Sequence, residues 1–464
     1  MVSRLSLIAD RISASAILAL AALVVAERVF GLDWAALPGR VLALVLMLAV
    51  MPRFQLREWV LLGLASALAW GLWQRGGGVD DLTFALGQGA YFAGFILLLM
   101  LLREAAVTSQ SVLEVGRWLT LQKPGRRFVA TWVGGHLAGL LMNFGAVSLL
   151  APLVQRGVRA EPIETAEDAR RVEIRERRAL SALIRGFAPV ITWAPTTLTQ
   201  VIILGSVPGL DPYLAMAYGI GLGLIMLLVG WAEDRLRWGK PRTVPGLAGP
   251  FPRRAGLDLL IVYALLIGGA VTVKLAGDVS LPQALMTVAP VMLIGWVATQ
   301  NGGDRTAIAA RLGEIRRAAI PRLARDAYLL GAAGFIGICA ARLAPIELIA
   351  AWTQSAHLAP WMLIALIPVI ITLGGQIALS PMMMVVFLAA VLSALPELPA
   401  APEHIGIALA AGWMLSLTAS PNATGALLIA GATGQPPTTV TWRWNGIYSL
   451  VAMSVFAMLA RVFV

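Results

Sequence analysis

Two stretches of this sequence share one pattern: ITWAPTTLTQVIILG at residues 191–205 and LTASPNATGALLIAG at residues 417–431. In both, a proline is surrounded by hydroxyl or amide side chains, and an apolar run that ends in glycine follows it. Proline removes a backbone N–H donor and obstructs the carbonyl one turn earlier. Each apolar segment is therefore expected to break as a helix, at Pro195 and at Pro421, once in each half of the chain.

The composition indicates a chain that is embedded in a membrane. Of its 464 residues, 59% are hydrophobic and only 13% are charged, which is more apolar surface than a soluble domain can bury. The net charge of +11 comes from Lys and Arg in short loops between apolar segments. This pattern is typical of positive-inside orientation and does not point to nucleic acid. We expect a multi-pass protein of the inner (plasma) membrane, with the lipid bilayer around it and a cytoplasmic N-terminus.

Loop charge also predicts the topology. If the apolar segment 128–155 crossed the bilayer once, the charged run 156–178 would have to be exported; a re-entrant hairpin keeps that run in the cytoplasm. The same reasoning makes 359–396 a hairpin that enters from the outer side. The expected fold class is an all-α polytopic membrane protein with about 11 transmembrane helices plus two re-entrant hairpins, in two inverted-topology repeats.

The predicted organisation has two halves joined by a basic connector. The connector covers 232–255 and is rich in Arg, Pro and Gly. The halves and their parts are 1–231, with a hairpin at 128–155 and a broken helix at 179–205, and 256–464, with a hairpin at 359–396 and a broken helix at 403–431.

A broken helix exposes N–H groups at the start of its second part and carbonyls at the end of its first. The first end suits an anionic substrate and the second a dehydrated cation such as sodium. Hydroxyl groups in membrane helices also bond to the preceding turn or join helices, so a structural role is the alternative for each residue. The candidate substrate- and ion-binding residues are Asn143, Gly145, Thr192, Pro195, Thr196, Thr197, Gly375, Gln376, Ser380, Thr418, Ser420, Pro421, Asn422 and Thr424.

Ionisable residues favour sodium over protons. No Asp or Glu falls in the middle of a predicted span, whereas proteins that move protons usually keep a carboxylate or histidine there. His136 is a possible proton relay, with a structural histidine as the alternative. Arg185 and Arg342 lie near span ends, where their side chains are expected to extend to the interface. Beyond a possible bound Na⁺, no cofactor or metal is expected.

The order of elements in each half resembles the ion transporter superfamily over roughly residues 83–464. Each half has spans, a surface amphipathic helix, a hairpin and a proline-broken span. That superfamily includes divalent-anion/sodium symporters, citrate carriers, arsenite-type pumps and the TRAP large membrane subunit. The resemblance implies that the elements around Pro195 and Pro421 face substrate and ion. Divalent-anion members carry Ser-Asn-Thr at each hairpin tip, whereas this sequence has MNFG at 142–145 and GGQ at 374–376. The resemblance therefore does not imply dicarboxylate recognition.

The predicted function is an ion-coupled secondary transporter of a small organic or inorganic anion, with sodium as the first choice of coupling ion and alternating access as the mechanism. The alternatives are a cation/proton antiporter of the same fold and the membrane subunit of a binding-protein-dependent carrier. An enzyme is not expected, because the HExxH, Walker and Gly-x-Ser-x-Gly motifs are missing from the sequence. A homodimer is also predicted.

Overall fold

The computed structural model describes residues 4–76, 78–120, 122, 124–159, 165–239, 249–277, 279–355 and 358–464. Regular structure in these ranges is helical throughout, which confirms the all-α polytopic fold class. The chain forms two compact units that cut across the two sequence halves. The first contains Met1–Ser109 and Leu260–Pro345, and the second contains Gln110–Leu259 and Ile346–Val464.

The first unit consists of long helices that carry few of the predicted site features. Its helices are α1 (Arg4–Arg28), α2 (Ala36–Val50), α3 (Leu56–Gln74), α4 (Gly78–Thr108), most of α11 (Arg253–Gly277), α12 (Leu281–Gln300), α13 (Arg305–Glu314) and α14 (Ile320–Leu343). A π-helical turn, Ile315–Ala319, joins α13 to α14.

Glycines let α4 and α14 approach until their backbones touch. A Cβ atom on Gly89 would lie 2.9 Å from the carbonyl oxygen of Gly331, and one on Gly331 would lie 2.7 Å from that of Gly89. Both distances are too short for a side chain, so glycine is required at this crossing. Small residues at helix crossings are the usual means of close packing in membranes.

The second unit contains every predicted interruption and both hairpins. Its remaining helices are α5 (Gln110–Thr120), α6 (Pro124–Met142), α7 (Phe144–Arg159), α8 (Ala166–Phe187), α9 (Leu198–Ser206), α10 (Pro212–Trp238), α15 (Ile346–Ser355), α16 (Pro360–Gln376), α17 (Pro381–Ser393), α18 (Pro402–Ala419), α19 (Thr424–Thr433) and α20 (Gly446–Phe463). A 3-10 turn, Ala188–Thr192, extends α8, and a π-helical turn, Thr439–Asn445, precedes α20.

Of the eleven predicted spans, nine coincide with continuous helices and two with the helices interrupted at Pro195 and Pro421. Among the described residues, seven helical segments are long and apolar enough to cross a bilayer by themselves. They are Asp33–Arg53, Gly78–Thr108, Pro212–Trp238, Arg253–Gly277, Leu281–Gln300, Arg305–Leu343 and Thr439–Phe463. The other four predicted spans correspond to α1, α3 and the two interrupted spans.

The charged segments are more helical than the sequence suggests. α8 begins at Ala166, where Thr165 and Asp168 form a reciprocal capping box, so most of the charged run 156–178 is helix. The predicted connector 232–255 is likewise shortened by α10 and α11, and its residues 240–248 lie outside the described part of the chain.

Candidate functional site

The first interrupted span consists of α8, its 3-10 extension and α9. Residues 193–197 between them are not helical, and Pro195 lies at their centre, where its missing N–H and fixed φ oppose helix continuation. Thr197 closes this turn on the carbonyl of Ala194, to which it donates its backbone N–H (3.0 Å) and its hydroxyl (2.8 Å). The helix is thus interrupted at the first proline.

The first hairpin turns on one residue. Asn143 alone separates α6 from α7, and its φ of 51° is left-handed, a conformation that Asn adopts more readily than most residues. Beside this tip, the Thr196 hydroxyl donates to the carbonyl of Leu140 (3.1 Å) in the last turn of α6. Carbonyls in a last turn have no partner within their own helix. Thr196 therefore ties the first interruption to the end of the hairpin helix.

The second interruption, residues 420–423, makes a fuller version of the same contact. Ser420 donates its hydroxyl to the carbonyl of Gly375 (2.6 Å). The Asn422 side-chain amide donates to that carbonyl (3.1 Å) and to the carbonyl of Gln376 (3.2 Å). Both acceptors lie in the last turn of α16, the first helix of the second hairpin. The second interruption is thus held to its hairpin by three hydrogen bonds.

Thr196 and Asn422 occupy equivalent positions, since each directly follows the proline of its half. Each satisfies carbonyls at the end of the first helix of the hairpin in its own half. In the second half the contact is reciprocal, because Gln376 donates its side-chain amide to the carbonyl of Ala419 (3.2 Å), the last residue of α18. The repeat in sequence is therefore also a repeat in hydrogen bonding.

Packing between the halves brings the two interruptions into one assembly. α7 of the first hairpin packs against α19 of the second interrupted span, and α17 of the second hairpin packs against α9 of the first. The 3-10 turn Ala188–Thr192 packs against α18, and Gly425 at the start of α19 lies against the Ile184 side chain of α8. The two interrupted spans are thus neighbours within the second unit.

Both interrupted spans resume without a side-chain cap. The residues that precede α9 and α19, Thr197 and Ala423, make no side-chain hydrogen bond to the first turn of the helix. The first N–H groups of a helix have no acceptor within the helix, and the dipole makes that end positive. These two helix starts are therefore able to receive an anion.

Three buried side-chain oxygens near the interruptions have no hydrogen-bond partner among the described residues: Ser416 Oγ, Thr372 Oγ1 and Gln200 Oε1. Ser416 is fully buried on α18, and its hydroxyl occupies the space where a side chain on Gly375 would lie. Thr372 lies one turn before the end of α16, and Gln200 lies in the first turn of α9. Because buried polar groups rarely stay unpaired, these oxygens are available to a bound ion or water.

Two predicted site residues instead join helices. Thr192 donates its hydroxyl to the carbonyls of Pro189 (2.7 Å) and of Gly219 on α10 (3.0 Å). The Thr418 hydroxyl donates to the carbonyl of Leu415 (3.1 Å) and lies 3.0 Å from the Ser449 hydroxyl of α20. These contacts match the structural alternative for membrane hydroxyl groups.

Three further candidates lie at helix starts. Gly145 is buried in the first turn of α7, where its carbonyl accepts the hydroxyl of Ser148 (3.0 Å). Ser380 is half-buried before α17 and makes no capping bond, and Thr424 is exposed as the first residue of α19. Their hydroxyl and backbone groups border the hairpin tips and the second interruption.

His136 has the surroundings of a structural histidine. Its Nδ1 lies 3.0 Å from the carbonyl of Gly186, and its Nε2 accepts the indole N–H of Trp193 (3.0 Å). A neutral ring with its proton on Nδ1 makes both bonds, and a protonated ring has no lone pair for Trp193. The ring is also stacked between Trp132 and Trp193. His136 thereby holds the first hairpin against the first interruption.

The expectation that Arg185 extends to the interface is wrong. Its side chain is only 2% exposed and forms an ion pair with Glu233 (2.8 Å) on α10. It also donates to Asn445 Oδ1 (2.8 Å), and its guanidinium lies 4.3 Å from the ring centre of Tyr448. These partners replace the water that the charge would otherwise seek. Arg342 does reach an exposed position, where it pairs with Asp81 (3.4 Å).

Four residues with contacts at the site were not singled out from the sequence: Gln200, Trp193, Glu233 and Trp442. Gln200 was part of the repeated stretch, but its equivalent in the second half is Ala426, so the repeat gave it no support. Trp193, Glu233 and Trp442 gain their importance from contacts that periodicity does not reveal. The one available signal was a carboxylate and an indole, Glu233 and Trp442, close to predicted span ends.

No protein-family model and no curated protein sequence matches this chain. Solved structures do match. The YdaH transporter of Alcanivorax borkumensis, whose crystal structure is described as revealing an unusual topology, superposes with a TM-score of 0.50 at 17% identity, over 82% of this chain and 87% of that one. MtrF of Neisseria gonorrhoeae, described as illuminating a class of antimetabolite efflux pumps, gives a TM-score of 0.52 at 15% identity, over 83% and 85%.

These similarities show the fold. The chain is an all-helical, multi-pass membrane protein that has a membrane transporter fold. At this level of identity the individual site residues of the two neighbours are not transferred to this chain.

Proposed function

We propose that this chain is a secondary transporter of a small anion, coupled to an ion gradient, with sodium as the preferred ion. The observation that carries the proposal is the paired architecture of the second unit. Two proline-interrupted spans, one from each half, are neighbours, and each is hydrogen bonded to the end of a hairpin helix. Irregular backbone at membrane depth is tolerated where it is buried in protein or lines a wet cavity, and paired interruptions are typical of transporter binding sites.

The anion is supported by the donor groups at the interruptions. The uncapped starts of α9 and α19 present backbone N–H groups. These groups bind negative charge without burying a formal positive charge. Such a site suits a carboxylate, phosphate or sulfate group.

Sodium is supported by the unpaired oxygens. Ser416 Oγ, Thr372 Oγ1 and Gln200 Oε1 are neutral, buried and lack partners among the described residues, and hydroxyl, amide and carbonyl oxygens are the ligands that coupling sodium ions use in interrupted helices. Proton coupling is the second candidate, because Glu233 and Asp234 lie on α10 close to the interrupted α8. Each is paired with an arginine, Arg185 or Arg178.

The direction of transport remains part of the proposal. MtrF is described as illuminating a class of antimetabolite efflux pumps, which supports export. Coupling as a sodium symporter would instead correspond to uptake. We also propose the inner membrane, a cytoplasmic N-terminus, a homodimer and membership of the ion transporter superfamily.

Flux in proteoliposomes tests the function. The purified protein is reconstituted, and uptake of radiolabelled succinate, citrate, glutamate, phosphate and sulfate is followed under an inward sodium gradient, with a potassium gradient of equal size as the control. We expect sodium to accelerate the flux of at least one anion. Flux that follows an imposed pH gradient and ignores sodium would favour proton coupling, and no flux of any anion under either gradient would contradict the proposal.

Orientation is tested by labelling from one side. Ala169 is exposed on α8 within the charged run, and Cys339 is fully buried, so an Ala169→Cys variant offers one accessible thiol. We expect an impermeant maleimide to label this introduced thiol only in inside-out vesicles. Labelling in intact cells would overturn the assignment of the first hairpin to the cytoplasmic side.

A further inference from the structure

Arg185 is a buried charge with more partners than an ion pair requires. Besides Glu233, it donates to the Asn445 side chain (2.8 Å) and to the carbonyl of Trp444 (3.3 Å), and it lies over the Tyr448 ring. Burying a guanidinium away from water is costly, so such a residue is a functional candidate. Three of its four partners lie in or just after one short segment, the π-helical turn Thr439–Asn445.

That π-helical turn is hydrogen bonded by arginines of the first interrupted span. Arg177 of α8 donates to the carbonyl of Arg443, and Arg185 reaches the next two residues. Asn445 also donates its side-chain amide to the carbonyl of Val440 (2.8 Å). π-Helical turns are uncommon and are frequent at functional sites. This one is tied to α8 through side chains.

The same turn reaches the tip of the second hairpin. Trp442 projects from it with 58% of its surface exposed, and its indole N–H donates to Gln376 Oε1 (3.1 Å). The amide nitrogen of Gln376 donates in turn to the carbonyl of Ala419 (3.2 Å), where the second interruption begins. Gln376 therefore connects the π-helical turn, the hairpin tip and the interrupted helix.

We propose that Arg185 is a positioning residue that holds the second hairpin in place. It fixes the π-helical turn, the turn presents Trp442, and Trp442 holds Gln376 at the hairpin tip. Arg185 belongs to the first interrupted span and the hairpin belongs to the second half, so this series of contacts couples the two halves. The proposal rests on the proposed function, and it adds that the second hairpin moves when substrate is admitted.

The chain provides a matched control on the same two helices. Arg178 and Asp234 form an ion pair between α8 and α10 (2.6 Å), as Arg185 and Glu233 do. The contacts described for Arg178 are with Asp234 and do not include the π-helical turn. A general requirement for an ion pair between these helices would involve both pairs equally, whereas positioning of the hairpin involves Arg185 alone.

Accessibility of a thiol beneath the hairpin tip measures the effect without any substrate. Met382, in the first turn of α17, is fully buried, so a cysteine there reacts only when the hairpin moves. In a Cys339→Ala, Met382→Cys background in proteoliposomes, Trp442→Phe removes the indole N–H and keeps a ring. We expect maleimide labelling to become about 2- to 10-fold faster, which is the usual effect of one hydrogen bond.

Arg185→Lys in that background is expected to accelerate labelling to a similar extent. The double variant with Trp442→Phe should be labelled no faster than the faster single variant, because the two residues act through one contact. Arg178→Lys should leave the rate unchanged. The proposal is overturned if Trp442→Phe has no effect, if the two effects multiply, or if Arg178→Lys has the same effect. Failed anion flux together with the expected labelling would contradict the proposed function and leave the positioning intact.

A transport readout separates positioning from a purely structural role. Once an anion is known, Trp442→Phe should change the maximal rate more than the KM, because the residue controls hairpin movement and does not contact the substrate. A changed KM with an unchanged maximal rate would instead place Trp442 in the binding site and overturn the positioning role.

Discussion

The two interruptions share a sequence pattern but differ in how open they are. Around Pro195, the surrounding residues are buried or half-buried, and Trp193 donates its indole N–H to His136 on α6. Around Pro421, Asn422 is exposed, as are residues 377–378 of the hairpin tip. A repeated motif therefore determines where a helix breaks, whereas the helices packed around the break determine whether solvent reaches it. We expect transport to alternate between one open and one closed half.

Asn422→Ala should have the largest effect on transport, because the open half depends on this amide. The change removes both bonds from Asn422 to the hairpin helix and one exposed amide. We expect the transport rate to fall about 100-fold, since small misplacements of site groups have effects of this size. Flux in proteoliposomes measures this rate. The control is Asn301→Ala, because the Asn301 amide bonds locally, to the carbonyl of Val297 on α12. A rate within a factor of about two of wild type would exclude Asn422 from the site.

Gly219→Ala should destabilise the closed half. A Cβ atom at this position on α10 would overlap the carbonyl oxygen of Thr192, whereas one on Gly221 of the same helix would meet open space. Overpacking of this kind costs about 1–3 kcal/mol, or more when backbone must move. We expect a clear fall in Tm for Gly219→Ala and a neutral or slightly raised Tm for Gly221→Ala. Equal Tm values for the two variants would show that α10 does not pack tightly on the first interruption.

Thr196→Val should have a smaller effect than Asn422→Ala, because Thr196 makes one hydrogen bond to its hairpin. The expected loss of transport is about 2- to 10-fold, measured by flux. Thr433→Val is a matched control, since its hydroxyl makes only local bonds, to the carbonyl of Ile429 on α19 and from the backbone N–H of Gln435 just after that helix. If Thr196→Val proved as damaging as Asn422→Ala, the two halves would be equally dependent on this contact and the asymmetry would fail.

His136→Phe should reduce stability with little effect on the coupling ion. Phenylalanine keeps the stacking with Trp132 and Trp193 but leaves the carbonyl of Gly186 and the indole N–H without a partner. We expect a loss of about 1–3 kcal/mol in the free energy of unfolding, seen as a lower Tm, whereas His404→Phe should cost less. A variant with normal Tm but altered pH dependence of transport would instead identify His136 as a proton relay.

The sequence was sufficient to predict both helix breaks because each depends on local chemistry. Proline alone is not enough, since Pro152, Pro290 and Pro368 all lie inside continuous helices. The stretches at 195 and 421 differ because hydroxyl and amide side chains surround each proline and bond to nearby backbone carbonyls, as Thr197 does to Ala194 and Ser420 does to Gly375. Local pattern therefore identified where the chain departs from helix.

The buried charge network could not be predicted in the same way. Arg185 is separated from Glu233 by 48 residues and from Asn445 by 260, and neither distance follows from periodicity. Likewise, the strained residue at the second hairpin tip is Ala378, with a φ of 66°, although two glycines and a glutamine shortly before it gave the stronger turn signal. Tertiary contacts between distant segments determine the charge network.

The most direct test of the central claim is whether both interruptions serve one binding site. The change in Tm that an anion produces, recorded for wild type, Thr196→Val and Asn422→Ala with sodium or potassium present, measures this from binding alone. A shared site predicts that each single substitution reduces the sodium-dependent Tm shift. A full shift in either variant would contradict a site formed by the two halves together.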